Sequence, residues 1–450
     1  MSRAPDPVRL AIIGAGDRGR ATYGRWCLEH PDQARVVAVA DPHERRRSTL
    51  AAEHGIDRSA TFDDWRTLVD APQPVDAVVI ATPDRLHAAP AIAALERGLD
   101  VILEKPIAPT EDEVHAVSAA AARSAGTVTV AHVLRYTPFF GAVKRALDDG
   151  LIGELVTIEH AERIGYWHFA HSFVRGNWRR EDGASPMILA KACHDLDLLR
   201  WLAGDRCTVV ASFGGLHHFR PEQAPPGALD RCADGVRRCP AAAGCPFDAV
   251  RFYVERTADV SGWPVSVITA DSSLRGRLEA VHRGPYGRCV YHVDNDVADH
   301  QVTSLEFANG VRASLTVNGL TADNTRLITM HGTRGELRGR LDTGELEVRR
   351  FLPGAATGAA GAWDRDGAGR QAMRDDERIL LDVSGSGDGH AGGDDAMVSD
   401  VVARLHARRH GPDGTVAAAR TSLAESVDSH LMAFAAERSR HERRTVVPGE

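Results

Sequence analysis

The sequence predicts an α/β chain in two parts. The first is a doubly wound parallel sheet, and the second is an α/β unit with an open, mostly antiparallel sheet. Three observations carry this. A largely apolar run, Val8 to Ile13, leads into a G-x-G-x-x-G turn at Gly14, Gly16 and Gly19. Strand-like and helix-like stretches then alternate to about residue 131, as parallel crossover units do. From about Leu155 the runs lengthen and alternate (LVTIEHAERI, QVTSLEFANG, VRASLTVNG), and Asn309-Gly310 marks a hairpin between two of them.

The Val8–Ile13 run suits a strand covered on both faces. In the turn that follows, Gly14 permits the sharp bend and Gly16 lets backbone approach a pyrophosphate. Gly19 lets the next helix, residues 20–29, pack closely on the strand. That helix aims its N-terminal N–H groups and positive dipole end at the phosphates, with Asp17 and Arg18 inside the turn. Ala34 to Ala40 reads as the second strand, ended by Asp41. This aspartate lies 22 residues past Gly19, where a carboxylate binds the adenosine ribose diol. It repels a 2′-phosphate and favours NAD, whereas Arg45, Arg46 and Arg47 leave NADP open.

His43 to His54 is a helix, Val75 to Ala81 a buried strand, and Asp84 to Arg97 a helix stopped by Gly98. Asp100 to Leu103 is a strand, Thr110 and Glu113 form a capping box, and Val128 to Ala131 is the last strand of this part. Further on lie a cysteine- and proline-bearing insert at 217–260 and a Gly/Asp/Ala-rich mobile span at 353–396. A final helix is expected from Thr415 to Arg440.

In an open α/β sheet, ligands bind beyond the carboxyl ends of the strands, near the switch in strand order. Glu104-Lys105-Pro106 stands there, directly after the Asp100–Leu103 strand. The Lys105 ammonium is placed to hydrogen-bond a substrate hydroxyl as hydride leaves. Thr82, Pro83 and His87 follow the preceding strand and turn their backbone toward the same ligand. In Lys191-Ala192-Cys193-His194-Asp195, Lys191 and His194 share a helical face at i, i+3, and histidine is a natural base for an alcohol. Arg135 and Tyr136 line the junction of the two parts, and His390 stands at a pocket rim between glycines.

Cys232, Cys239, Cys245 and Cys289 are candidates for a structural zinc, although their spacing is not the tight C-x2-C pair of a strong zinc signal. Seven cysteines, an odd number, fit reduced thiols. A net charge of −8 argues against a nucleic-acid partner. No apolar run reaches the ~20 residues needed to span a bilayer, and the N-terminus lacks a signal-peptide pattern, so a cytoplasmic protein is expected.

Taken together, GAGDRG, ATPDRLH, ILEKPIAPT, HVLRYTPFF, LIGELVTIE and KACHDLDLLRWLAG resemble the glucose–fructose oxidoreductase / inositol dehydrogenase / rhizopine-catabolism (Gfo/Idh/MocA) family. The resemblance implies a Rossmann domain over residues 1–135 and a substrate-binding and oligomerisation domain over 136–450. It also implies NAD(P)-dependent redox chemistry on a sugar, cyclitol or derivative, and homodimers or homotetramers built on the open sheet. It makes His194 the catalytic histidine. The residues themselves place Lys105 and Lys191 beside it, Gly14, Gly16, Asp17, Arg18, Gly19, Asp41, Thr82, Pro83, His87, Glu104 and Lys105 at the cofactor, and Arg135, Tyr136, Asp195 and His390 toward substrate. One departure stands out: the family commonly carries an aspartate four residues before the histidine, and here that residue is Ala190, with Lys191 beside the gap as a replacement base or a second hydroxyl donor, so that either His194 or Lys191 takes the proton. Two other readings share the cofactor cradle: a glycoside-cleaving enzyme that retains NAD, and a regulator that binds NAD without chemistry.

Overall fold

A computed structural model describes residues 6–72, 74–351, 376–381, 383, 390–410 and 419–450. Six parallel strands form the first sheet: β1 (Val8–Ile13), β2 (Ala34–Ala40), β3 (Thr61–Phe62), β4 (Ala77–Ile80), β5 (Asp100–Leu103) and β6 (Val128–Val130). Their order is β3-β2-β1-β4-β5-β6. The order reverses between β1 and β4, so the C-terminal ends of these two strands open the crevice that binds ligands in such sheets.

The sheet is covered on both faces, as the unbroken apolar run of β1 requires. Leu10 and Ile12 belong to one buried cluster, and Ala11 and Ile13 to another. The Ala88–Glu96 and Glu111–Arg123 helices cover the second cluster. The first is sealed from the far end of the chain: Met397, Val398, Val401, Val402 and Leu405 of the Gly393–His410 helix pack against β1 and β2 residues. The expectation that everything after residue 136 belongs to the second unit is corrected here. This helix completes the N-terminal core.

The second sheet has eight strands: β7 (Leu155–Gly165), β8 (Cys207–Gly215), β9 (His300–Phe307), β10 (Arg312–Thr321), β11 (Thr325–Gly332), β12 (Gly335–Arg340), β13 (Glu345–Phe351) and β14 (Asp376–Leu380). Their order is β14-β13-β12-β11-β7-β10-β9-β8. Only β7 and β10 pair in parallel. The Asn309-Gly310 hairpin joins β9 to β10, and Gly310 has φ +91°, a left-handed conformation that suits glycine. One face packs on the Pro138–Asp148, Cys193–Ala203 and Leu423–Glu442 helices around Ile158, Leu315, Val317 and Met330.

Several boundaries differ from expectation. Residues 18–29 form a wide helical turn (Arg18–Gly24) before an α-helix (Arg25–Glu29). Lys191 does not lie inside one helix: the Met187–Ala190 and Cys193–Ala203 helices flank it, so local bends as well as helical spacing set its position relative to His194. The last helix starts at Leu423, where the Ser422 hydroxyl accepts from Glu425 N–H, rather than at Thr415. Of the span 353–396, residues 353–375, 382 and 384–389 lie outside the described residues, while Asp376–Leu380 add an edge strand. Among the described residues no helix is long and apolar enough to cross a membrane.

Candidate active site

The glycine turn sits at the end of β1. Gly14 has φ +95°, and a Cβ there would lie 2.6 Å from the Ala81 carbonyl oxygen. A Cβ on Gly19 would lie 2.0 Å from the Gly14 oxygen. These two glycines are demanded by packing. Gly16 is different: a Cβ there meets nothing within 4 Å. The open space over Gly16 is what a pyrophosphate approaching the backbone needs, so the turn fits a dinucleotide. Asp41, at the end of β2, is buried. Its two carboxylate oxygens accept from Ala15 N–H (2.8 Å) and His43 N–H (2.8 Å), tying the acid to the turn. The Arg47 guanidinium donates to the Asp41 carbonyl at 2.7 Å and so is committed to the backbone.

The side chains of several residues expected at the cofactor join loop to loop. Arg18 donates to Glu104 at 2.7 Å and pairs with Asp394 at 2.9 Å, and Tyr23 donates to the same Glu104 oxygen at 3.0 Å. Burial and the Glu104 charge raise the Tyr23 phenol well above its ordinary pKa, so it stays a donor. The side chains of Arg18 and Glu104 therefore clamp the glycine turn to the β5 end and to the Gly393–His410 helix. His87 is buried, with Nδ1 2.6 Å from the Pro106 carbonyl and Nε2 2.8 Å from the Thr82 carbonyl. It holds the loops after β4 and β5 together, and its ring is not free for a cofactor. The Thr82 hydroxyl is spent on Leu86 O at 2.9 Å.

Beyond β5, Lys105 is half-buried and its Nζ donates to the Ala190 carbonyl at 3.0 Å. The backbone at the departing position thus receives the lysine. Lys191 Nζ lies 3.3 Å from Glu162 Oε1. Burial pulls the Lys191 pKa below its ordinary value, with Arg326 and Lys105 adding to the shift and Glu162 opposing it. His194 is buried, its Nδ1 has no partner among the described residues, and its ring centroid is 6.0 Å from that of His390. Burial, then the charge of Lys105, holds its pKa well below the ordinary histidine value. His390 points Nδ1 at Asp394, 2.9 Å away. Lys105, Lys191, His194 and His390 are thus brought together beside the glycine turn.

Three expected substrate residues are turned inward, and their assignment is corrected. Arg135 donates two 2.7 Å hydrogen bonds to Asp197 and pairs with Glu425 at 2.6 Å. Tyr136 is buried, its hydroxyl 3.4 Å from both Asp400 and Thr421. Asp195 is fully buried and accepts from Arg326 Nε (2.7 Å) and His160 Nε2 (2.8 Å). Burial alone would raise the Asp195 carboxyl, but Arg326 and His160 outweigh it and hold it well below the carboxylate range. All three have their polar atoms satisfied within the protein, as buried polar groups must be.

The sequence reading missed Glu162, Arg326, His160 and His132. A signal existed for two of them. On β7 the buried positions are Ile158, His160, Glu162 and Ile164, so a histidine and a glutamate occupy core-facing places in an alternating strand. Arg326 bridges Glu162 (2.7 Å) and Asp195 (2.7 Å) and sets the charge balance around Lys191. His132 stacks edge-on between His194 and His430, each 5.8 Å away. His430 Nε2 accepts from Ile107 N–H at 2.9 Å and so steadies the loop that carries Lys105.

A six-stranded parallel sheet with a glycine turn at its switch point, and a lysine–histidine cluster gathered beside it from the β5 loop, the 187–203 segment and the turn leading into the Gly393–His410 helix, defines a dinucleotide-binding oxidoreductase class. Within it, residues 8–132 match the GFO_IDH_MocA oxidoreductase family with its NAD-binding Rossmann fold, and residues 140–338 match the GFO/IDH/MocA C-terminal domain. The chain belongs to this family. It is similar to levoglucosan dehydrogenase of Pseudarthrobacter phenanthrenivorans, 28% identical over 340 residues, covering 73% of each chain. It is also similar to inositol 2-dehydrogenase 4 of Saccharopolyspora erythraea, 31% identical over 230 residues, which cover 50% of this chain and 61% of that relative. The fold matches the solved levoglucosan dehydrogenase in complex with NADH and levoglucosan, with TM-score 0.67 and 19% identity over 99% of this chain and 100% of that one.

Proposed function

We propose that this protein is an NAD-dependent dehydrogenase that oxidises a secondary hydroxyl of a sugar, cyclitol or derivative. The observation that carries the reading is the unpartnered, buried His194 Nδ1, with Lys105, Lys191 and His390 grouped around it at the cofactor end of β4 and β5. The dehydrogenases of inositol and levoglucosan among its relatives support the substrate class.

In this reading Gly14 to Gly19 cradle the pyrophosphate and Asp41 takes the ribose diol. Bound NAD supplies the hydride acceptor. Lys105 donates to the reacting hydroxyl and favours its alkoxide. His194 lends its imidazole to orient the substrate. Burial and the charge of Lys105 lower the His194 pKa and make it a weaker base, while burial lowers that of Lys191 toward the range of a useful base, so in this reading Lys191 takes the proton. Lys191 thereby replaces the acid absent at Ala190. The exposed Phe213 and Val302, cross-strand partners on β8 and β9, support association through the open sheet. Seven free cysteines suit a reducing cytoplasm.

The test is a panel of polyols, sugars and sugar acids with NAD, followed by absorbance of reduced nicotinamide. Formation of NADH from a free polyol supports the reading. NAD binding with no NADH from any member of the panel, or cleavage of a glycoside without net NADH, overturns it.

A further inference from the structure

Of the seven cysteines, Cys27, Cys193 and Cys207 are scattered through the two cores. The other four meet. Cys232, Cys239, Cys245 and Cys289 line one cavity of about 20 Å³, and Arg175 shares its wall. The backbone brings their loops together independently of any sulfur contact. Cys232 N–H donates to Gly287 O (2.9 Å), Cys239 N–H to Cys232 O (3.0 Å) and Cys289 N–H to Asp230 O (2.8 Å). The loop of Cys289 is thereby brought to the loops of Cys232, Cys239 and Cys245 around one cavity.

Arg175 supplies the second observation. It is only 3% exposed. Its Nε donates to Arg288 O (2.7 Å), and one terminal nitrogen donates to Phe247 O (2.7 Å) and lies 3.6 Å from Cys232 Sγ. Among the described residues no carboxylate lies within ion-pair distance of it, and nearby Asp248 is held by Arg238 at 2.6 Å. A buried guanidinium without an anion is costly. Neutral thiols do not offset its charge. Four thiolates around a metal do, because their summed negative charge exceeds that of the bound ion.

We propose that Cys232, Cys239, Cys245 and Cys289 are the thiolate ligands of a structural metal centre that staples the insert and provides the counter-charge of Arg175. Binding releases the four thiol protons and involves no change of oxidation state at sulfur. The occupant is a thiophilic centre, either zinc or an iron–sulfur cluster. A lone tetrahedral zinc with Zn–S near 2.3 Å draws its sulfurs to about 3.8 Å, whereas no three of these sulfurs lie within 4.8 Å of one another. Zinc binding therefore draws the sulfurs inward, and a cluster that seats each thiolate on its own iron needs more room than the cavity of about 20 Å³ leaves, so either occupant shifts the surrounding loops as it binds. This centre is independent of the proposed hydroxyl oxidation, since none of its ligands touches Lys105, Lys191 or His194.

The full chain is expressed with iron and zinc supplied, purified without oxygen, and assayed for iron, zinc and acid-labile sulfide, with thiol alkylation mapped by mass spectrometry. The expected result is either iron with matching sulfide, with visible charge-transfer absorbance, or one zinc per chain. In both cases Cys232, Cys239, Cys245 and Cys289 are shielded from alkylation until a chelator or acid removes the metal. Cys239→Ser should lose most of the metal. Should that variant not fold, the shielding pattern of the unaltered chain decides. Metal-free protein after anaerobic reconstitution with iron, sulfide and zinc, or an intact mass showing two disulfides among these four residues, overturns the proposal.

Discussion

Replacing Asp195 by asparagine separates an internal positioning residue from a substrate ligand. The carboxylate is fully buried and accepts from Arg326 and His160, and Arg326 also holds Glu162 at 2.7 Å. Asparagine keeps the volume, but its amide N–H group then faces a guanidinium or an imidazole, donor against donor. Breaking one side of a buried ion pair costs about 3–5 kcal/mol. Because Arg326 retains Glu162, the lower end applies, about 3 kcal/mol. For a chain of 450 residues, at about 1 °C per kcal/mol, Tm should fall by roughly 3 °C. The folded pKa of Asp195 is depressed, so its stabilisation is fully present above the ordinary carboxylate pKa and is lost as pH falls toward the folded value. The gap between wild type and D195N should therefore be widest at neutral pH and close below about pH 4. Thermal unfolding by circular dichroism across pH, together with steady-state kinetics, checks this. An unchanged Tm with a raised KM would refute the reasoning and return Asp195 to the substrate.

The two kinds of turn glycine should behave differently. Gly16→Ala should fold normally and weaken NAD binding at least tenfold by fluorescence titration, whereas Gly19→Ala, forced against the Gly14 oxygen, should lower the yield of folded protein. Lys105→Ala should abolish turnover while calorimetry still shows NAD binding, and normal turnover would exclude the proposed role. Lys191→Met should remove the rise of kcat with pH that a deprotonated lysine produces, while His194→Asn should lower kcat and leave that rise in place. His430 is pushed down to about 3 by burial, below its unfolded value, so stability is lost as pH falls from about 6.5 toward about 3. His430→Gln should reduce that slope by about 1.4 kcal/mol per pH unit in urea titrations.

Much of the first sheet was legible because its signals are local. The apolar runs at Leu10–Ile13 and Val36–Ala40, the Thr110–Glu113 capping box and the Gly98 stop at φ +71° each depend on a few neighbouring residues, and each recurs in the structure. The electrostatic setting of the site was not legible, because it is assembled across long sequence distances. Lys105 meets Ala190, Lys191 meets Glu162, and Asp195 of the Cys193–Ala203 helix meets Arg326 of β11. Arg135 read as a junction residue, and only its contacts with Asp197 and Glu425 reveal that it seals the interior.

Local chemistry, then, decided where backbone bends and which strands are apolar on both sides, and with them the dinucleotide cradle and the place of Lys105. Which ionisable groups stand free and which are neutralised was decided only by folding. A carboxylate's charge environment depends on partners that chain order does not bring near it, as the Gly393–His410 helix that seals the first sheet makes plain.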